Sequence, residues 1–96
     1  MAPPQVVVPP VVYVPCAPQR PGDGELIVDL RQTRAGQMAL LAYTALDRLI
    51  ACCGPEQPWA VLPTADLEQI RLATDFDIIL LDLEIPVEHR RRAEVS

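Results

Sequence analysis

Six consecutive residues without a charge, Met38 to Tyr43, run directly into Thr44 and a short amphipathic stretch that stops at Gly54-Pro55. This arrangement constrains the chain more than any other feature. A segment apolar on both parities reads as a strand covered on both faces, hence a central one. Leu46, Leu49, Ile50 and Cys53 then fall at i, i+3, i+4 and i+7, one stripe of a helix, while Asp47, Arg48 and Ala51 lie off it. Thr44 reads as the N-cap, with Asp47 completing a capping box, and Gly54 and Pro55 end the helix, placed at 45–53. Trp59 to Leu62, entered through Pro58 and closed by Pro63, opens another strand.

The segments on either side extend the pattern. Residues 1 to 24 hold seven of the eleven prolines, which remove backbone donors and fix φ, so residues 1–10 read as a loose leader. Val11-Val12-Tyr13-Val14 is a strand near a sheet edge, because proline flanks suit edges. After the turn-rich Arg20 to Gly24, Leu26, Val28 and Leu30 alternate as the core face of a strand, with Ile27 off the pattern. Gln32 to Gly36 links it to the central run as an antiparallel hairpin. Thr64 reads as the cap of a second helix bearing Leu67, Ile70, Arg71 and Thr74 on one face, with Asp66 and Glu68 in its first turn. Phe76 to Leu83 is a second wholly apolar strand around Ile78 to Leu81, and Pro86 opens a short charged helix or tail over 86–96.

The expected fold is a small α/β domain of mixed α+β type over residues 11–85. Its order is β-β-β-α-β-α-β, with a small mixed sheet carrying helices. The last three strands, joined by helical crossovers, are expected to be parallel. Residues 38–43 and 78–81 should lie side by side mid-sheet, sheltered by the helices.

Composition narrows the function. A 96-residue chain buries only roughly 60 to 65% of the surface its unfolded form exposes, so its core is thin. The net charge of −5 argues against a nucleic-acid partner, which demands a basic face. No apolar run approaches the roughly 20 residues that span a bilayer, and prolines break the N-terminal run where a signal peptide would need continuity. Cys16, Cys52 and Cys53 read as reduced thiols, since adjacent half-cystines cannot reach normal disulfide geometry. These observations together point to a cytoplasmic chain with no membrane partner.

The chemistry-bearing residues form no constellation. There is no glycine-rich phosphate loop, and no Cys or His spacing for zinc. The only serine is Ser96. Asp75, Asp77, Asp82 and Glu84 bracket the last strand in two pairs and read as its solubilising flanks. His89 stands in a charged tail without an orienting partner. The expectation is no catalytic residue, no cofactor and no metal. Binding candidates are Tyr13, Tyr43 and Trp59, aromatic anchors for a protein partner or a second copy. Thr44 and Thr64 are candidates at helix N-termini beside the strand carboxyl ends, where an anion or small molecule would sit. An interaction or adaptor module is the first reading, and a small-molecule or anion sensor is the alternative.

The Val-Tyr-Val-Pro strand, the hairpin, Leu40-Leu41-Ala42-Tyr43-Thr44-Ala45-Leu46-Asp47-Arg48-Leu49 and the later Pro58-Trp59 resemble the N-terminal domain of the SseB family. The likeness is greatest to small single-domain relatives found in actinobacteria. It spans roughly residues 11 to 85 and implies the same α/β fold, with no catalytic residues to carry over.

Overall fold

A computed structural model of the chain describes residues 9–18, 22, 24 and 26–90. In chain order the elements are β1 (Val11–Pro15), β2 (Leu30–Gln32), β3 (Met38–Ala42), α1 (Leu46–Cys53), β4 (Trp59–Pro63), α2 (Leu67–Thr74) and β5 (Ile78–Leu81). Single 3-10 turns precede α2 (Thr64–Asp66) and follow β5 (Val87–His89). This is the expected β-β-β-α-β-α-β order.

β3 is the organising strand. It pairs antiparallel with β2, Leu30 opposite Leu40, and parallel with β5, Leu40 opposite Ile79. Successive side chains of a strand point to opposite faces, so β3 feeds two cores. Leu40 and Ala42 join Val12, Val14, Val28, Phe76 and Leu67 of α2. Leu41 and Tyr43 join Ile85 together with Leu49 and Cys53 of α1. A helix on each side is why the run is apolar on both parities.

The sheet departs from expectation in its pairing. The strands form two small sheets, β1-β4 and β2-β3-β5, and β4 is antiparallel to β1 instead of joining β3 and β5. β1 is also no edge strand. Tyr13 and Tyr43 exchange backbone hydrogen bonds of 2.9 and 2.8 Å on its far side, and Asp29 N–H reaches the Pro15 carbonyl at 3.0 Å. The segment before β2 thus starts alongside β1 and changes partner between Asp29 and Leu30, which links the sheets. With β1 between β4 and β3, the place beside β3 falls to β5.

Three further differences are local. β5 is covered on one face only, for Ile79 and Leu81 are exposed, because no strand or helix packs over its outer side among the described residues. The residue preceding α1 is Ala45, and Thr44 donates no cap to the helix. The expected last helix is the one 3-10 turn, after which Arg90 folds back. Its Nε–H donates to the Ile85 carbonyl at 2.8 Å. Residues 1–8 and 91–96, most of the expected leader and tail, lie outside the described residues. The leader's end is tied down, since Thr64 N–H donates to the Pro10 carbonyl at 2.9 Å and its hydroxyl to the Pro9 carbonyl.

Candidate functional site

The β1-β4 pair carries one uncharged face. Directly opposed residues share a face, and the register sets Val11 against Pro63, Tyr13 against Val61 and Pro15 against Trp59. On it Val11, Val61 and Trp59 remain 40%, 51% and 41% exposed. Tyr13 is half-buried and meets Trp59 edge-on, with ring centroids 5.7 Å apart and planes at 67°. Its other side packs against the buried cluster that includes Tyr43.

The free edge of this ribbon follows from the same register. Thr64 N–H bonds Pro10 and Cys16 N–H bonds Pro58, so the even-numbered residues of β4 direct their backbone groups at β1. In an antiparallel ladder the alternate residues then point theirs the other way. Trp59 and Val61 therefore present N–H and C=O groups outward, and Pro63 presents only a carbonyl, the usual place for a strand proline.

Tyr43 is not part of this surface. It lies at 0% exposure under α1, and its hydroxyl donates to the Leu83 carbonyl at 2.5 Å. Burial, reinforced by the neighbouring Cys53 thiol, drives its phenol pKa far above the ordinary value. The Cys53 thiol is itself raised by burial, partly offset by a hydrogen bond with Tyr43 and reinforced by Cys52. Cys52 is half-buried, whereas Cys16 and Cys53 are buried. An alkylating reagent at neutral pH is expected to modify Cys52 first, since burial suppresses both access and thiolate formation at Cys53. Mass mapping of a time course checks this, and equal rates at the three thiols would contradict the packing.

Thr44 and Thr64 are both committed within the fold, with β1 between them. Thr44 N–H donates to Oδ1 of Asp82 and its hydroxyl to Oδ2, each at 2.9 Å, and Arg48 reaches Oδ2 at 2.9 Å. The carboxylate of Asp82 thus ties the end of β5 to Thr44, just before α1, and to Arg48 in its first turn. Partial burial works to raise its pKa, but the hydrogen bonds from Thr44 and Arg48 outweigh it and hold the carboxyl below the usual value. Asp77 does similar work at the opposite end of β3, accepting from Met38 N–H at 2.8 Å. These two carboxylates, expected as solubilising flanks, are ties to the central strand.

Sequence reasoning overlooked Gln57. It is the one buried polar residue among the described residues, and its amide nitrogen lies 3.2 Å from the Cys16 carbonyl, 3.2 Å from Asp29 Oδ2 and 2.7 Å from the Pro58 carbonyl. It joins the end of β1, the segment before β2 and the entry to β4. Nothing in Gly54-Pro55-Glu56-Gln57-Pro58 marks it for that role, because its partners are distant in sequence. Gln57 also borders a cleft of about 310 Å³ whose lining includes Leu41, Cys53, Ile85, Arg31, His89 and Arg90.

Among the described residues no three His, Cys, Asp or Glu side chains converge as metal ligands, and no helix is long and apolar enough to cross a membrane. Comparison with protein-family models, curated proteins and solved structures finds no match for this chain.

Proposed function

We infer that the protein is a non-catalytic interaction module that associates through β4, and that the partner its edge fits is a second copy of the chain. The observation that supports this is a strand edge with no pairing partner among the described residues, flanked by an uncharged face, in a chain of net charge −5. Natural edge strands are normally protected by charge or by a bulge. From Pro58 to Ala65, and from Pro10 to Pro18 on β1, there is no charged residue.

Self-pairing has a consistent register. A two-fold axis at Val61 places Val61 opposite its copy and Trp59 opposite Pro63 of the second copy. The Val61 residues exchange N–H to carbonyl bonds, and each Trp59 N–H meets a Pro63 carbonyl, which needs no donor from proline. The exposed Trp59 and Val61 side chains of both copies then form one apolar strip. β2 and β5 are the other edges. β2 is only three residues long with Arg31 at its centre. Asp77, Asp82 and Glu84 flank β5, where antiparallel self-pairing sets carboxylates against carboxylates. One five-residue edge about 17 Å long is small against the roughly 800 Å² per partner of stable interfaces, so the dimer belongs at the weak, concentration-dependent end.

Sedimentation over a concentration series tests this. Val61→Lys, which opposes two ammonium groups on the axis from an exposed position, is expected to leave a folded monomer, and Trp59→Ala to weaken association at least about tenfold, as loss of a central aromatic anchor does. A wild-type chain that stays monomeric up to millimolar concentration, or a dimer indifferent to Val61→Lys, would sink the reading.

A further inference from the structure

The cleft lies between the C-terminal end of α1, the Asp29–Arg31 segment and the Val87–His89 turn, with Pro15 at the end of β1 on its border. We propose that it binds a small organic oxyanion, a carboxylate or phosphate head on a compact apolar body. Its size sets the body. At about 30 Å³ for each water-sized group, the volume takes about ten non-hydrogen atoms, the size of a small aromatic acid.

The lining sets the chemistry. Leu41, Cys53 and Ile85 are buried apolar residues of the α1-side core and form a greasy floor. Arg31 and Arg90 line it together with the carboxylate of Asp29, and Arg90 is already paired with Glu84, whose side chain is 80% exposed. Arg31 therefore brings the guanidinium without a described ion-pair partner, and in a chain of net charge −5 that cation draws anions to the cleft.

Both arginines are held in position. Arg90 donates through Nε to the Ile85 carbonyl at 2.8 Å, lies 3.8 Å from Glu84 and has a side chain only 20% exposed. Arg31 donates one N–H to the His89 carbonyl at 3.1 Å and makes no ion pair with a described residue. A guanidinium has five donors in a planar fork, so Arg31 is anchored on one side and keeps donors for a bidentate oxyanion. Asp29 and the Gln57 amide, bonded to each other at 3.2 Å, complete a polar wall that favours one orientation of the ligand. An apolar floor with a few convergent polar groups is the usual make-up of a small-molecule site.

The test titrates ¹⁵N-labelled protein with benzoate, phenyl phosphate and the neutral analogue benzamide. Each is raised to about 10 mM, enough to register millimolar binding. The amides of Arg31, Cys53, Ile85 and His89 should shift with one or both acids and not with benzamide, and the tighter acid identifies the head group. Arg31→Gln should weaken that acid by about tenfold or more, the usual loss with a charge-assisted bond. Arg31→Lys, which keeps the charge but not the fork, should fall between. A thermal melt on each variant separates loss of binding from loss of fold. Unmoved cleft amides with both acids, equal shifts with benzamide, or a folded Arg31→Gln with unchanged affinity would overturn the site. None of these readouts depends on self-association, so failure here and failure of the β4 dimer are separate results.

Discussion

Asp82→Ala is expected to lower the unfolding free energy by about 3 kcal/mol at neutral pH, a large part of the roughly 5 to 10 kcal/mol available to a domain of this size. Three contacts contribute unequally. Arg48 is 61% exposed at its side chain and Asp82 only 21%, so the solvated ion pair is worth little. The Thr44 N–H and hydroxyl bonds carry the effect, because alanine leaves both donors unsatisfied in a half-buried site. Asp82 also has φ of 54°, a left-handed backbone that aspartate and asparagine tolerate better than alanine. Asp82→Asn keeps that tolerance and one acceptor, and should lose about half as much.

Asp82 also gives the fold an acid dependence with a definite sign. Its folded pKa lies below the unfolded value, so its stabilisation is complete above about pH 4 and fades as pH falls through the folded pKa. Urea titrations should show Asp82→Asn losing less stability than wild type as the solution is acidified below that point. Wild-type stability in Asp82→Ala at pH 7, or parallel acid profiles, would mean that the network does not hold β3 to β5.

Tyr43→Ala is the larger perturbation, expected to cost about 3 to 5 kcal/mol, as buried aromatic truncations do. It opens a cavity at the contact between α1, β3 and Ile85 and removes the tie to Leu83. Tyr43→Phe keeps the ring, loses the bond to the Leu83 carbonyl and the contact with the Cys53 thiol, and should cost about 1 kcal/mol. Alkali separates the two effects. The folded phenol pKa is raised, so its stabilisation is whole below the unfolded pKa of about 10 and is lost as pH rises above that value, where the unfolded tyrosine ionises and the folded one resists. Tyr43→Phe should flatten the stability profile above pH 10. A variant with the wild-type alkaline slope would show that the ring is wetter than the packing implies.

The elements were legible because their signals are local. The helix stripe of Leu46, Leu49, Ile50 and Cys53, the Gly54-Pro55 stop and the two apolar strands each declare themselves within one turn or one strand, although Ile50, at the margin of the stripe, is left exposed. Tyr43 was misplaced because an aromatic at the end of an apolar run looks the same in sequence whether α1 covers it or leaves it open. Thr44 was misread as a helix cap because a threonine followed by an acid three residues on satisfies the local rule, whereas its bonds go to Asp82, 38 residues away. Gln57 and Arg31 carried no signal, since the bonds of Gln57 to Asp29 and of Arg31 to His89 reach 28 and 58 residues along the chain.

By itself, then, the chain's hydrophobic periodicity and its glycine and proline punctuation determined which segments become strands or helices, and that residues 38–42 lie beside 78–81. Tertiary structure alone decided that β4 pairs with β1, that Asp82 bonds Thr44 and Arg48, and that Arg31 and Arg90 line one cleft. The division is physical. Backbone preference is set by neighbours within about four residues, while pairing, burial and charge placement depend on which distant groups still need a partner once the core has closed.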